Sequence, residues 1–398
     1  MYNFKERVQF IKNDFRNNHC TFLDVLSNNF LFTLYPIKVN IQALHTWITN
    51  RNERLIIAGP CGAESEEQVL QTASKLSQIE SIKLFRAGIW KPRTRPNAFE
   101  GVGERGLVWL TQVQKQFNLK TAVEVANAQH TELALKHGVD VLWIGARTTG
   151  NPFSVQEIAD VLKGVDIPVF IKNPIHADVQ LWLGAIERFS NSGITKLAAI
   201  HRGFFYPGKT KYRNKPMWEL AIELKTILPE LPIICDPSHI SGNRDLIPHV
   251  AQKALDLGMN GLMIESHINP SVALSDAQQQ LTPDDLKEIL SNLVYRQSSS
   301  QNPECDDKLN QFRKMIDEVD DELINVLKKR MSIIEQIGEY KKEHDLTIFQ
   351  LNRWQEILRS RSQWAEKLGI PRAHTEKICQ LLHEESIRIQ TELMNKRD

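Results

Sequence analysis

The sequence carries no excess of charge of either sign: 49 Lys and Arg stand against 48 Asp and Glu over 398 residues, a formal net charge of +1. That balance excludes the basic surface that non-specific nucleic-acid binding requires, and it supplies no polybasic patch for a membrane. Long apolar runs are missing as well; none approaches the roughly 18 residues of a membrane span. The opening Met1-Tyr2-Asn3-Phe4-Lys5-Glu6-Arg7 lacks the basic-then-apolar order of a secretory signal. Cysteine is scarce. Cys20, Cys61, Cys235, Cys305 and Cys379 are odd in number and far apart, with no C-x-x-C pair, which argues against a disulfide framework. The expectation is a reduced, soluble, cytoplasmic protein of two or three domains.

Glycine and proline are plentiful in one zone and nearly absent from another. Of 19 glycines, all but Gly338 and Gly369 fall between Gly59 and Gly261, and beyond Asp306 the only proline is Pro371. Since these residues punctuate turns, the first zone reads as many short elements and the last as a few long helices. Between them the polar stretch Gln297-Ser298-Ser299-Ser300-Gln301-Asn302-Pro303 reads as a linker. The first forty residues hold six of the 16 Phe and seven Asn without an amphipathic period. The expected organisation is an N-terminal appendage of unassigned role (1–40), an α/β domain (41–295), a linker (296–305) and a helical domain (306–398).

In the α/β zone, β-branched runs alternate with amphipathic helical patterns. Candidate strands lie at 55–58, 83–86, 120–125, 139–144, 168–171, 196–200, 232–235 and 261–265, each followed by a helical pattern. Eight βα units in about 240 residues fit a TIM (β/α)8 barrel. The alternative, a doubly wound sheet, lacks its G-x-G-x-x-G turn after the first strand.

In such a barrel the chemistry sits at the C-terminal strand ends. Read in order, those ends give Cys61, Arg86 with Lys91 and Arg93, Glu124, Arg147, Lys172, Arg202, Asp236 with His239, and Glu265. Any one alone reads as a surface salt bridge or solvated loop residue. Eight in succession around one mouth would cost desolvation unless ligands used them. Cys61, His239 and Glu265, with Asp276 as a fourth candidate, form a mixed soft and hard donor set, suited to Mn²⁺ first, then Fe²⁺, Co²⁺ or Zn²⁺. Arg86, Lys91, Arg93, Arg147, Lys172 and Arg202 form a basic set matching small substrates that carry phosphate and carboxylate. Cys235, closing an apolar run, reads as a buried core thiol.

The runs Gly59-Pro60-Cys61, Lys91-Pro92-Arg93-Thr94, Gly145-Ala146-Arg147-Thr148-Thr149, Asp236-Pro237-Ser238-His239 and Leu274-Ser275-Asp276 resemble, in order, those of the compact microbial 3-deoxy-D-arabino-heptulosonate 7-phosphate (DAHP) synthases, over roughly 50–295. That resemblance implies a metal-dependent barrel condensing phosphoenolpyruvate with erythrose 4-phosphate and releasing phosphate. It implies Cys61, His239, Glu265 and Asp276 as metal ligands. Arg86, Lys91, Arg147, Lys172 and Arg202 would hold phosphoenolpyruvate, Arg93 and Thr94 the erythrose phosphate, and Lys91 and Lys172 are the catalytic candidates. Arg95 and His201 depart from the usual pattern. The octulosonate 8-phosphate synthases, which share the barrel, carry an Ala-Asn-type sequence in place of Pro92-Arg93-Thr94.

From Asp306 to about Lys342 an apolar stripe of Leu309, Phe312, Ile316, Val319, Leu323, Val326, Ile333 and Ile337 runs at helical spacing. A plain coiled-coil dimer is the ordinary reading. Arg313, Arg330 and Lys341 on or beside the stripe argue for an anionic ligand instead, because unpaired cations are costly in a helical core. Arg313 and Arg330 are about 25 Å apart along one helix, whereas Arg330 and Lys341 are about 16 Å apart. An antiparallel dimer would bring Arg313 of one chain to Arg330 of the other. Further helical patterns run over 347–368, ending at Gly369-Ile370-Pro371, and over 373–395, where Ser386 and Gln390 share a face.

These three helices resemble the all-helical chorismate mutases, with Arg313, Arg330, Lys341, Arg353, Ser386 and Gln390 at that family's active-site positions. The resemblance implies rearrangement of chorismate to prephenate without metal, nucleophile or general base. Arg313 from a partner chain and Arg330 would grip carboxylates; Lys341 and Gln390, the catalytic pair, would address the ether oxygen. Trp354 stands where many relatives have a glutamate, and Gln350 replaces an acid. The expectation is a bifunctional shikimate-pathway enzyme, homodimeric through its helices and open to a higher oligomer. The alternative keeps the barrel as enzyme and makes the tail a prephenate- or chorismate-sensing feedback module.

Overall fold

The computed structural model describes residues 39–51, 53–92, 98–297 and 302–396. Arg93, Thr94 and Arg95, all but the last two residues of the expected appendage, and 298–301 of the expected linker lie outside the described residues. The chain divides between Gln297 and Ser298 into two compact units. No described helix is long and apolar enough to cross a membrane.

The first unit is built on β1 (Leu55–Gly59), β2 (Ile82–Arg86), β3 (Lys120–Val125), β4 (Val141–Ile144), β5 (Val169–Lys172), β6 (Leu197–His201), β7 (Ile233–Cys235) and β8 (Gly261–Glu265). They form a closed barrel in chain order. Every neighbouring pair is parallel, and β1 closes on β8 with Leu55 opposite Gly261 and Gly59 opposite Glu265. Parallel strands covered on both faces need apolar residues at successive positions, which is why these segments read as runs rather than as alternation. Sequence-stretch bounds and strands agree within two residues throughout.

Alternation survives inside the barrel, and it positions the site. Leu84, Ala122, Phe170, Ile200, Ile234 and Met263 belong to an inner cluster, closed at its N-terminal end by Leu44, Trp47 and Ile48. Side chains two residues further along a strand return to the same face. The next inward positions are therefore Arg86, Glu124, Lys172, Arg202, Asp236 and Glu265. The intervening residues, among them Phe85, Val123, Ile171 and Cys235, pack outward into the larger cluster against the surrounding helices. Cys235 is fully buried there. Gly59 has φ +145°, and a Cβ on it would lie 2.1 Å from the Arg86 carbonyl oxygen, so the chain can pass the end of β2 only without a side chain.

The second unit holds three helices, α1 (Pro303–Glu343), α2 (Leu351–Lys367) and α3 (Arg372–Asn395). Helix α1 begins three residues before the expected start, with Pro303 at its first position and the Asn302 side chain accepting from Glu304 N–H. Its 41 residues span about 62 Å. Helix α2 starts at Leu351 rather than 347. Gln350 is extended, with φ −127° and ψ 100°, and the Ile348 carbonyl accepts from Lys341 Nζ at 2.6 Å instead of entering a helix. Gly338 lets α1 approach α3, since a Cβ there would stand 2.8 Å from Leu393 Cδ1. The N-terminal half of the α1 stripe stays exposed: 51 % for Phe312, 61 % for Ile316 and 62 % for Val319.

Candidate active sites

The inward positions at the barrel mouth form one interlocked polar layer. Buried Arg86 places Nη2 3.3 Å from Glu265 Oε1 and lies over the Trp143 ring at 4.9 Å. Trp143 Nε1 in turn donates to Glu124 Oε2 at 3.0 Å. Gly145 makes room for that carboxylate, because a Cβ would fall 2.0 Å from Glu124 Oε1. Lys172 Nζ lies 2.9 Å from Asp236 Oδ2, which is also 2.8 Å from His239 Nδ1. Arg202 is held by Asn173, which accepts from its backbone N–H at 2.7 Å, and by Asn214, which accepts from Nη1 at 3.0 Å. Arg147 lies exposed on the short helical turn Ala146–Thr149 that follows β4.

The electrostatics are set by burial and by pairing. Burial opposes the charge on Asp236, yet His239 and Lys172 hold its carboxyl well below the usual aspartate range. Burial lowers Arg202 to about 10. Arg86, against its burial, is raised by the Glu265 carboxylate. Two of its nitrogens, Nε and Nη1, are buried without a protein partner. A buried guanidinium with unused N–H groups calls for an anion.

Beside this layer, ligand atoms of Cys61, Glu265 and Asp276 lie within 4.8 Å of one another. Cys61 Sγ is 3.2 Å from Asp276 Oδ2, and His239 Nε2 adjoins this three-residue cluster at 3.8 Å from Glu265 Oε1. Glu265 Oε2 accepts from Gln279 Nε2 at 2.6 Å, while Oε1 is buried with no hydrogen bond. Lys91 Nζ donates to the Cys61 carbonyl at 2.8 Å and lies 2.7 Å from its sulfur. Burial, reinforced by Glu265, pushes the Cys61 thiol up to about 12. His239 is lowered, chiefly by burial, and is neutral near pH 7. Asp276 sits at φ +52°, a conformation strained for a non-glycine residue and held here by its contacts. One thiol, one neutral imidazole whose Nδ1 lies beside the Asp236 carboxylate, and two carboxylates fit a borderline divalent cation.

Sequence reasoning missed the residues that hold this group together. Arg213 Nη1 donates to Asp276 Oδ1 at 3.0 Å and to Gln279 Oε1 at 2.6 Å, and Gln280 Oε1 accepts from Cys61 N–H at 2.8 Å. The available signals were the basic run Lys209 to Lys215 after β6 and the run Gln278-Gln279-Gln280 before the last barrel helix.

In the helical unit a cavity of about 900 Å³ is lined by five of the six expected residues: Arg330, Lys341, Arg353, Ser386 and Gln390. Arg313 does not line it; its Nη1 donates to Asn310 Oδ1 one turn away. Arg330 Nη1 donates to Ser386 Oγ at 2.9 Å and to the Leu382 carbonyl at 3.2 Å. Lys341 is 9 % exposed, and burial lowers its pKa. Arg353 pairs with Glu356 at 2.7 Å, on an exposed face. Gln390 Nε2 donates to the Ser386 carbonyl at 3.0 Å, leaving Oε1 buried and unpartnered. Trp354, in place of an expected acid, also lines the cavity.

Comparison with known proteins separates the two units in the same way. Residues 36–301 match the model described as DAHP synthetase I family, and residues 312–391 match Chorismate mutase type II. A phospho-2-dehydro-3-deoxyheptonate aldolase of Thermotoga maritima is 32% identical over 238 residues, covering 60% of this chain and 68% of the relative. A 2-dehydro-3-deoxyphosphooctonate aldolase of Legionella pneumophila is 28% identical over 272 residues, covering 62% and 94%. Among solved structures, the DAHP synthase of Thermotoga maritima aligns at a TM-score of 0.57 with 29% identity, covering 64% of this chain and 75% of that one. Its truncated form aligns at 0.55 with 28% identity, covering 65% and 92%. An eight-stranded barrel with this mouth, matched over two thirds of the chain, followed by a three-helix unit with its own cationic cavity, is a bifunctional shikimate-pathway enzyme: the chain belongs to the DAHP synthetase I family and carries a type II chorismate mutase region behind the barrel.

Proposed function

We propose that the barrel condenses phosphoenolpyruvate with erythrose 4-phosphate to DAHP, in a reaction that depends on a divalent cation held by Cys61, His239, Glu265 and Asp276. The observation that carries this reading is the juxtaposition of the Cys61–Glu265–Asp276 cluster with buried Arg86, whose free N–H groups require an anion. The cation would supply Lewis acidity to the aldehyde oxygen. Arg86, Arg202 and Lys172, with Arg147 at the rim, bind the phosphate and carboxylate of phosphoenolpyruvate. Lys91 beside Cys61 and Lys172 beside Asp236 are positioned to hold protons at the two edges of the reacting centre. A carbon–carbon bond forms to the aldehyde carbon, water is consumed and phosphate leaves, so negative charge moves toward groups already fixed in cationic pairs. Arg93 and Thr94 take the phosphate of the second substrate.

The helical unit converts chorismate to prephenate as a homodimer. The reaction needs no proton transfer, only a dicarboxylate held in its reactive shape with charge stabilised at the breaking ether bond. Arg330 and Arg353 grip carboxylates, Lys341 and the side-chain amide N–H of Gln390 address the ether oxygen, and Arg313 arrives from the partner along the exposed α1 stripe. Both activities are assayed on the full chain with Lys172→Ala and Lys341→Ala. Each substitution is expected to abolish its own reaction and spare the other; failure of that selectivity overturns the site assignment.

A further inference from the structure

Trp354 stands where an acid was expected, and the cavity it lines also holds an imidazole outside the expected site residues. His383 on α3 lines the cavity together with Arg330, Lys341 and Trp354. Its ring lies flat on the Trp354 indole, with centroids 4.1 Å apart and planes 13° from parallel, and Phe349 closes on it at 5.8 Å. Two aromatic neighbours fix the plane of the imidazole. Yet its Nε2 is buried without a hydrogen-bond partner. A buried polar atom left unpaired in this way is costly unless a ligand completes it.

The chemistry selects the ligand group. Burial first, and then the Arg330 charge, lower the pKa of His383, so the imidazole is neutral. Neutral imidazole presents Nε2 as a donor in one tautomer and as an acceptor in the other. A carboxylate can only accept; a hydroxyl can donate or accept and so serves either tautomer. The carboxylates of a dianionic ligand have Arg330 and Arg353 to meet them and the ether oxygen has Lys341, which leaves the hydroxyl for the neutral ring.

We propose that His383, oriented by Trp354, is the group that recognises the ring hydroxyl of chorismate, taking the place of the acid this chain lacks at Trp354 and Gln350. The inference rests on the mutase reading above. The test uses the full chain and follows chorismate consumption by wild type, His383→Phe, which keeps the stack and removes Nε2, and His383→Gln, which restores a polar atom near that position. A chorismate analogue lacking the ring hydroxyl is assayed in parallel, with synthase activity reporting integrity of the preparation and the far-ultraviolet circular dichroism reporting the helices. His383→Phe is expected to lower kcat/KM for chorismate about tenfold with helices intact, and His383→Gln to recover most of that loss. On the analogue, wild type and His383→Phe are expected to be equal. An unchanged kcat/KM in His383→Phe, or the same fractional loss on the analogue, overturns the inference while leaving the mutase reading standing. A wild-type chain no more active than Lys341→Ala overturns the mutase reading, and this inference with it.

Discussion

The two units gather cationic side chains by opposite means. In the barrel, the cationic groups are fixed before any substrate arrives. Arg86 is locked between Glu265 and Trp143, Lys172 against Asp236, and Arg202 between two asparagines. The strands that carry them cannot shift without breaking a closed hydrogen-bonded ladder. In the helical unit the cations stand on long helices with few cross-links: Arg353 faces an exposed partner, and Arg313 is absent from the cavity. The described part of the barrel mouth is thus cross-linked within one unit, whereas the helical cavity has an exposed apolar α1 stripe on the same unit. Fold closure preorganises the first site; the proposed dimer would have to complete the second.

That contrast is open to direct attack. The largest effect is expected from Cys61→Ala, which should cut synthase activity about a thousandfold or more and lower the metal bound per chain, while chorismate turnover is unchanged. Metal analysis beside both assays decides it. Next comes Arg313→Ala, expected to lower mutase activity about a hundredfold with the synthase intact. Mixing Arg313→Ala with Arg330→Ala chains should restore activity if Arg313 acts across a dimer, because one site in the mixed dimer is then wild type; no restoration would make the helical site a single-chain one. A smaller effect concerns pH. The Cys61 thiol, raised to about 12, must lose its proton to bind a cation, while the lowered His239 and the depressed Asp276 are already in their binding forms. One proton is released, so apparent metal affinity should rise about tenfold per pH unit between about pH 6.5 and 8.5, measured by chelator-buffered titration. A flat profile would remove the thiol from the coordination sphere. The smallest concerns stability: Gly338→Ala gains helix propensity but presses on Leu393 and Gln390, and its net effect on helical unfolding should stay within about 1 kcal/mol.

Much of the barrel site was legible because the period of a strand is two. Once Leu84, Phe170 and Met263 are inside, Arg86, Lys172 and Glu265 must be inside too, at the end where the strands leave the core. The binding motifs also lie on or next to strand ends, where short-range sequence fixes position. Arg213 and Gln279 were not legible in the same way. They come from loops 66 residues apart, and nothing local in either says that they meet over Asp276. In the helical unit, the positions of Arg330, Lys341, Ser386 and Gln390 followed from spacing on their own helices, but the start of α2 did not, since Lys341 takes the Ile348 carbonyl out of reach of a helix.

The sequence by itself determined which stretches form the barrel strands and which the helices, to within a few residues, and which charges stand at the strand ends. These are local matters, governed by period, turn residues and apolar pattern. Only the tertiary structure decided how those charges pair, that Asp276 is drawn into its strained conformation beside Cys61, and that the imidazole of His383 lies flat on Trp354. Such contacts join segments tens to hundreds of residues apart, and their geometry depends on the packing of the whole unit rather than on any stretch of chain.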